Sequence, residues 1–182
     1  MNLPAGKALK TGLDAASIDF NSLVTELANK KLIGFACITI GDVTGIEEGV
    51  LVFDEGKIVA SDYEYLKYGT TLFAKEAFKR IVNASNCKYG TIDVFQLESE
   101  QLHLALSFNE QAIWVPSPND LRVDKKPFDK SFGQQVVDDV KNLDKSELLK
   151  KYKLSDVEEK RPKTQDELEL DDGDLLNNIK KR

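Results

Sequence analysis

A chain of 182 residues suits one domain with an appendage and is long enough to bury a sizeable core. Its 41% apolar content is that of a globular protein, but 31% of its residues are charged, which is high. A net charge of -6 and a pI near 5.0 argue against sequence-independent binding to a phosphate backbone. No run approaches the roughly 18 apolar residues of a membrane span. The opening Met1–Lys7 has no signal-peptide apolar region, so a cytoplasmic location is expected.

In chain order, Pro4–Ala16 reads as a lead-in of small and polar residues. A helix is expected from Ser17 or Asp19, both good caps, with Phe20, Leu23, Val24 and Leu27 forming one apolar stripe. Lys30 and Lys31 suit its last turn, and Gly34 its end. Phe35–Ile40 is β-branched and apolar, a first strand, followed by the glycine-flanked turn Gly41–Gly45. Glu47 and Glu48 lead into the strand Val50–Phe53. A third strand starts at Lys57–Ser61 and continues through Tyr63 and Tyr65. The three residues Asp54-Glu55-Gly56 between them fit a type I turn with a glycine bulge. Both strands of this hairpin are apolar on both faces, which places them mid-sheet with cover on each side.

Gly69-Thr70-Thr71 suits a helix start. Phe73, Ala74, Ala77, Phe78, Ile81 and Val82 then make a broad helical stripe expected to pack across the sheet. Tyr89–Leu97 is a fourth strand. Residues 102–108 carry both a two-residue alternation of leucines and a helical face of Leu97, Gln101, Leu104 and Phe108. Their Glu/Gln/Leu/Ala content favours helix.

Composition changes at Val115-Pro116-Ser117-Pro118. Residues 1–115 hold 10 basic and 15 acidic residues, and residues 116–182 hold 15 and 16 in little more than half the length. So dense a charge, with few aromatics, makes a poor core. Short helices over Gln134–Leu143 and Ser146–Leu154 are expected there, marginal unless docked. The expected architecture is therefore α+β. An antiparallel meander of three strands plus a fourth, packed with helices, occupies residues 1–115, and a charged, partly helical tail occupies 116–182.

The residues carry no evident catalytic chemistry. The glycines Gly41, Gly45 and Gly49 lack any phosphate-loop pattern and read as hairpin turns. The meander acids Glu47, Glu48, Asp54, Glu55 and Asp62 could form a metal or acid–base site, but solvated acids ordinarily sit at turns and edges. Asp171-Asp172-Gly173-Asp174 lacks the twelfth-position Glu of a calcium loop. Cys37 and Cys87 have no redox spacing, and the single histidine, His103, has no ligand partner nearby. The basic runs at Lys125-Lys126, Lys150–Lys153 and Lys180-Lys181-Arg182 are interleaved with acids and read as solvated faces. No cofactor or metal is expected. Aromatic and apolar surface remains: Tyr63, Tyr65 and Tyr68 after the meander, and Leu148, Leu149 and Tyr152 in the tail, are candidate protein-binding residues.

The hairpin Glu48–Ala60 resembles the Gly-x-Leu-x-Phe-x-x-Gly-x-Ile-x-x-Ala pattern of PATAN-like domains, which occur in prokaryotic signalling proteins. Tyr68–Phe78 is similar to their second helix, though less closely. The wider layout resembles an archaeal family of uncharacterised proteins. The shared features are Leu3-Pro4-x-Gly6, the strand Gly90–Val94 and the helix end Leu104–Asn109. This resemblance covers about Leu3–Asn109 and implies an interaction or regulatory role without catalytic residues. The expected function is a noncatalytic adaptor, in a signalling or cell-organisation system, that engages a protein partner. The alternatives are a metal-dependent enzyme using the meander acids and a nucleic-acid binder using the tail lysines.

Overall fold

A computed structural model describes residues 1–42, 45–121 and 126–151. The chain divides into two units, Met1–Asp138 and Asp139–Arg182. The first unit is α+β, built on one antiparallel sheet of six strands in the order β1-β6-β2-β3-β4-β5. The strands are β1 (Lys7–Asp14), β2 (Gly34–Asp42), β3 (Gly45–Asp54), β4 (Lys57–Tyr65), β5 (Thr70–Phe73) and β6 (Gly90–Gln96). The helices are α1 (Phe20–Asn29), α2 (Ala74–Ala84), α3 (Ser99–Phe108) and α4 (Ser131–Lys151), which runs on past Asp138.

The meander β2-β3-β4 forms where its apolar runs predict, and β3 is central and buried along most of its length. Alternation sends its residues to two separate cores. Val50 and Val52 join Phe35, Ala60, Leu97, Leu102 and Ala112 on the face covered by α3. Gly49 points the other way, where an added Cβ would lie 2.6 Å from Ile81 of α2 and 2.8 Å from the Tyr63 ring. That close approach lets α2 lie low across the sheet. Its stripe is buried as expected at Ala77, Phe78 and Ile81, and Phe53 is fully buried too.

Four local expectations are corrected. Residues 7–14 are not an irregular lead-in but edge strand β1, paired antiparallel to β6. The strand is mostly exposed and its register shifts twice, with Gly12 at φ 64, so no two-residue apolar period exists to announce it. Thr70-Thr71 belong to strand β5 rather than to a helix cap. Gly69 turns the chain at φ 59, and the threonines, good strand formers, pair with Glu64 and Tyr65. The central turn has two residues, not three: Asp54 pairs with Lys57, and both Glu55 (φ 46) and Gly56 (φ 81) take positive φ. That is the primed turn matching strand twist; the bulge lies instead between Val52 and Phe53. In the tail, Gln134–Leu143 and the start of Ser146–Leu154 are one continuous helix, α4, since nothing between them breaks helical backbone.

The first residues after Val115 also differ from a free tail. Asn83 of α2 brackets the Asp129 backbone, donating from Nδ2 to its carbonyl at 2.9 Å and accepting its N–H at 2.8 Å. Arg80 of α2 lies 3.6 Å from the Phe132 ring centre, Lys75 pairs with Asp120 at 2.8 Å, and Val136 is buried. Residues through Asp138 therefore pack within the first unit.

Candidate interaction surface

The tyrosines after the meander turn inward. Tyr63 and Tyr65 share the Gly49 face of the sheet and are 2% and 1% exposed beneath α2, so neither offers surface to a partner. The cause is strand parity: residues 61, 63 and 65 alternate with 62 and 64, and the odd positions meet the helix. The Tyr63 hydroxyl donates to Glu47 Oε2 at 2.6 Å, and the Tyr63 and Tyr65 rings meet edge to face at 5.4 Å. Burial drives the Tyr63 pKa well above its ordinary value and pushes Tyr65 up to about 12. The Tyr65 hydroxyl and Arg80 Nη1 are buried without a hydrogen-bond partner among the described residues. Tyr68 is half-buried. Leu148 and Leu149 fall on the α4 backbone, but their side chains, and Tyr152 altogether, lie outside the described residues.

The meander acids do not converge. Glu47 faces α2, whereas its neighbour Glu48 is on the opposite face, and Glu55 is exposed at the turn. Asp62, on the α3 face, is buried 3.3 Å from the Met1 amino group, and burial raises its pKa. Among the described residues, no three of His, Cys, Asp and Glu group so as to hold a metal. Cys37 is half-buried and burial pushes its thiol up to about 12, so it stays protonated. Cys87 is buried and His103 exposed. The acidic stretch 171–174 and the basic runs at 125, 152–153 and 180–182 lie outside the described residues.

Two surface features stand out. Of the expected helical face Leu97, Gln101, Leu104 and Phe108, Leu97 is buried just before α3 begins, but Leu104 and Phe108 are not. Leu102 and Ala105 face the core, leaving Leu104 56% and Phe108 71% exposed, one turn apart on α3. The second feature is a groove of about 720 Å³ along α2. It is walled by Phe78 and Val82 on one side and by Pro127, Phe128 and Phe132 on the other, with lysines at its rim. Sequence reasoning missed Arg80, Asn83 and Asp129 because their roles depend on contacts more than 40 residues apart, for which no local pattern exists.

The fold and surface define an α+β domain, sheet covered on both faces, with large apolar side chains left outward on α3 and a groove beside α2. The chain belongs to a family described as an uncharacterized protein conserved in archaea (DUF2226), which matches residues 1–109. No curated protein and no solved structure matches it. Among the described residues no helix is long and apolar enough to cross a membrane.

Proposed function

We propose that this chain is a noncatalytic adaptor that binds a protein partner in an archaeal signalling or cell-organisation system. The kinship of its central hairpin to PATAN-like signalling domains is part of that proposal. The observation that supports it most is the outward pair Leu104 and Phe108. A helix that buries Leu102 and Ala105 has no need of two large apolar residues on its outer face, and hydration of Phe108 has a cost that a partner would relieve. Leu148, Leu149 and Tyr152 extend the same reading to the tail, with apolar anchors outweighing the lysines around them.

The test is affinity capture from an archaeal extract using the full chain, with retained proteins identified by mass spectrometry and the leading partner then purified. Leu104→Ser with Phe108→Ser is expected to keep the melting temperature and weaken that partner at least about tenfold, as loss of a central anchor does. Leu148→Ala with Leu149→Ala is expected to weaken it, and Lys150→Gln, Lys151→Gln and Lys153→Gln to leave it nearly unchanged. Binding that survives both apolar pairs and is lost with the lysines refutes the proposal.

A further inference from the structure

We infer that the α2 groove is a binding site for a small amphipathic carboxylate, with its apolar body along Phe78, Val82 and Phe128 and its anionic head at Lys126. Size is the first argument: about 720 Å³ lies within the range of small-molecule pockets, and Phe78, Val82, Pro127, Phe128 and Phe132 give it an apolar wall. Charge is the second. In a chain of net charge -6, the described residues lining the groove include three lysines against two carboxylates. Both carboxylates are already engaged: Asp120 by Lys75 and Ser117, which hold its pKa to about 2, and Asp129 by the Ser131 N–H, which it caps. Lys75 is used in that pair and Lys79 pairs with Glu76 at 2.6 Å. Lys126 has no ion pair among the described residues, so one positive charge is left for a ligand. Among the described residues, that one unpaired lysine suits a singly charged carboxylate better than a phosphate, whose charge near neutrality is close to two.

A third observation lies behind the wall. Phe132 lines the groove and stacks 3.6 Å from the Arg80 guanidinium, whose Nη1 is buried without a hydrogen-bond partner among the described residues. A ligand in the groove would thus lie across the Phe132 ring from that guanidinium. A reporter stands beside the groove: Trp114, the chain's one tryptophan, has its ring centre 5.3 Å from that of Phe78 in the groove wall.

The experiment titrates the full chain with decanoate below its micellar range and follows Trp114 fluorescence, with decanol as the neutral analogue. Saturable one-to-one binding of decanoate is expected, with decanol at least about fivefold weaker. Lys126→Glu, a surface change, is expected to weaken decanoate about fivefold or more and leave decanol unchanged, the pattern of a rim charge. Val82→Glu should abolish both, and a melting temperature within a few degrees of the parent shows that it still folds. If Val82→Glu fails to fold, Lys126→Glu alone decides. Absent or non-saturable binding, equal affinity for decanol, or decanoate binding unchanged in Lys126→Glu each overturns the inference.

Discussion

Tyr63 and Tyr65 lie side by side under one helix, yet their hydroxyls should respond to deletion in opposite ways. Tyr63→Phe strips Glu47 of a 2.6 Å bond in a buried site, and a loss of about 1–3 kcal/mol is expected from chemical denaturation. Tyr65→Phe removes a hydroxyl that has no partner among the described residues, so the stability should stay level or rise by about 1 kcal/mol. The same burial sets an alkaline limit. An unfolded tyrosine ionises near 10, while Tyr65 holds its proton to about 12 and Tyr63 holds its own longer. The folded state therefore binds more protons in this window, and its stability is intact below pH 10 and lost as pH rises through 12. Denaturant midpoints measured from pH 9 to 11.5 should fall, and fall less steeply in Tyr65→Phe. Gly56 is the other residue on which much rests. At φ 81, any Cβ there would collide with the Ala28 carbonyl at the end of α1, so Gly56→Val should cost about 2–4 kcal/mol. A variant melting within a degree of the parent would remove the turn from the account.

At the scale of elements, α2 does two jobs. Its inner stripe covers the sheet, and its outer side holds the segment that starts α4 through Asn83 and Arg80. Asn83→Ala should leave the sheet amides as protected as before but speed hydrogen exchange at Asp129–Phe132 about tenfold or more, since two hydrogen bonds worth roughly 1 kcal/mol each are lost. Unchanged exchange there would mean that Arg80 and Val136 suffice. Helix α3 shows why a periodic pattern is an incomplete guide. Its composition and spacing announce a helix correctly, but its residues are apolar on more than one side. Burial fell to Leu102 and Ala105 because Leu97, at the end of β6, fixes where the helix enters the Phe35–Val52 core. Strands β1 and β5 were hidden for a different reason. Each is an edge, held mainly by backbone pairing to one neighbour, and backbone pairing leaves little mark on side-chain order.

For the whole molecule, the change in composition at Val115 and the end of the first unit at Asp138 lead to distinct expectations. A chain ending at Asp138 should melt as the full chain does. One ending at Val115 should still fold on its two cores but melt several degrees lower. It loses Val136, Phe132 and the Lys75–Asp120 pair, and with residues 126–132 the far wall of the α2 groove. Equal melting of the two would mean that residues 116–138 rest on the domain without stabilising it. By itself the sequence determined the elements whose stability is local or repeated along one element. These are the meander, the presence of a turn before Lys57, the first helix with its apolar stripe, the α2 stripe and the α+β class. Periodicity encodes those directly, because every second or every third to fourth residue must meet the same apolar neighbour. Tertiary structure alone decided which way each face turned and which distant residues met. It put Tyr63 and Tyr65 inside, Leu104 and Phe108 outside, and Asn83 against Asp129. The physical reason is that a side chain's exposure is set by what packs over it, and the segments that do so here lie far along the chain.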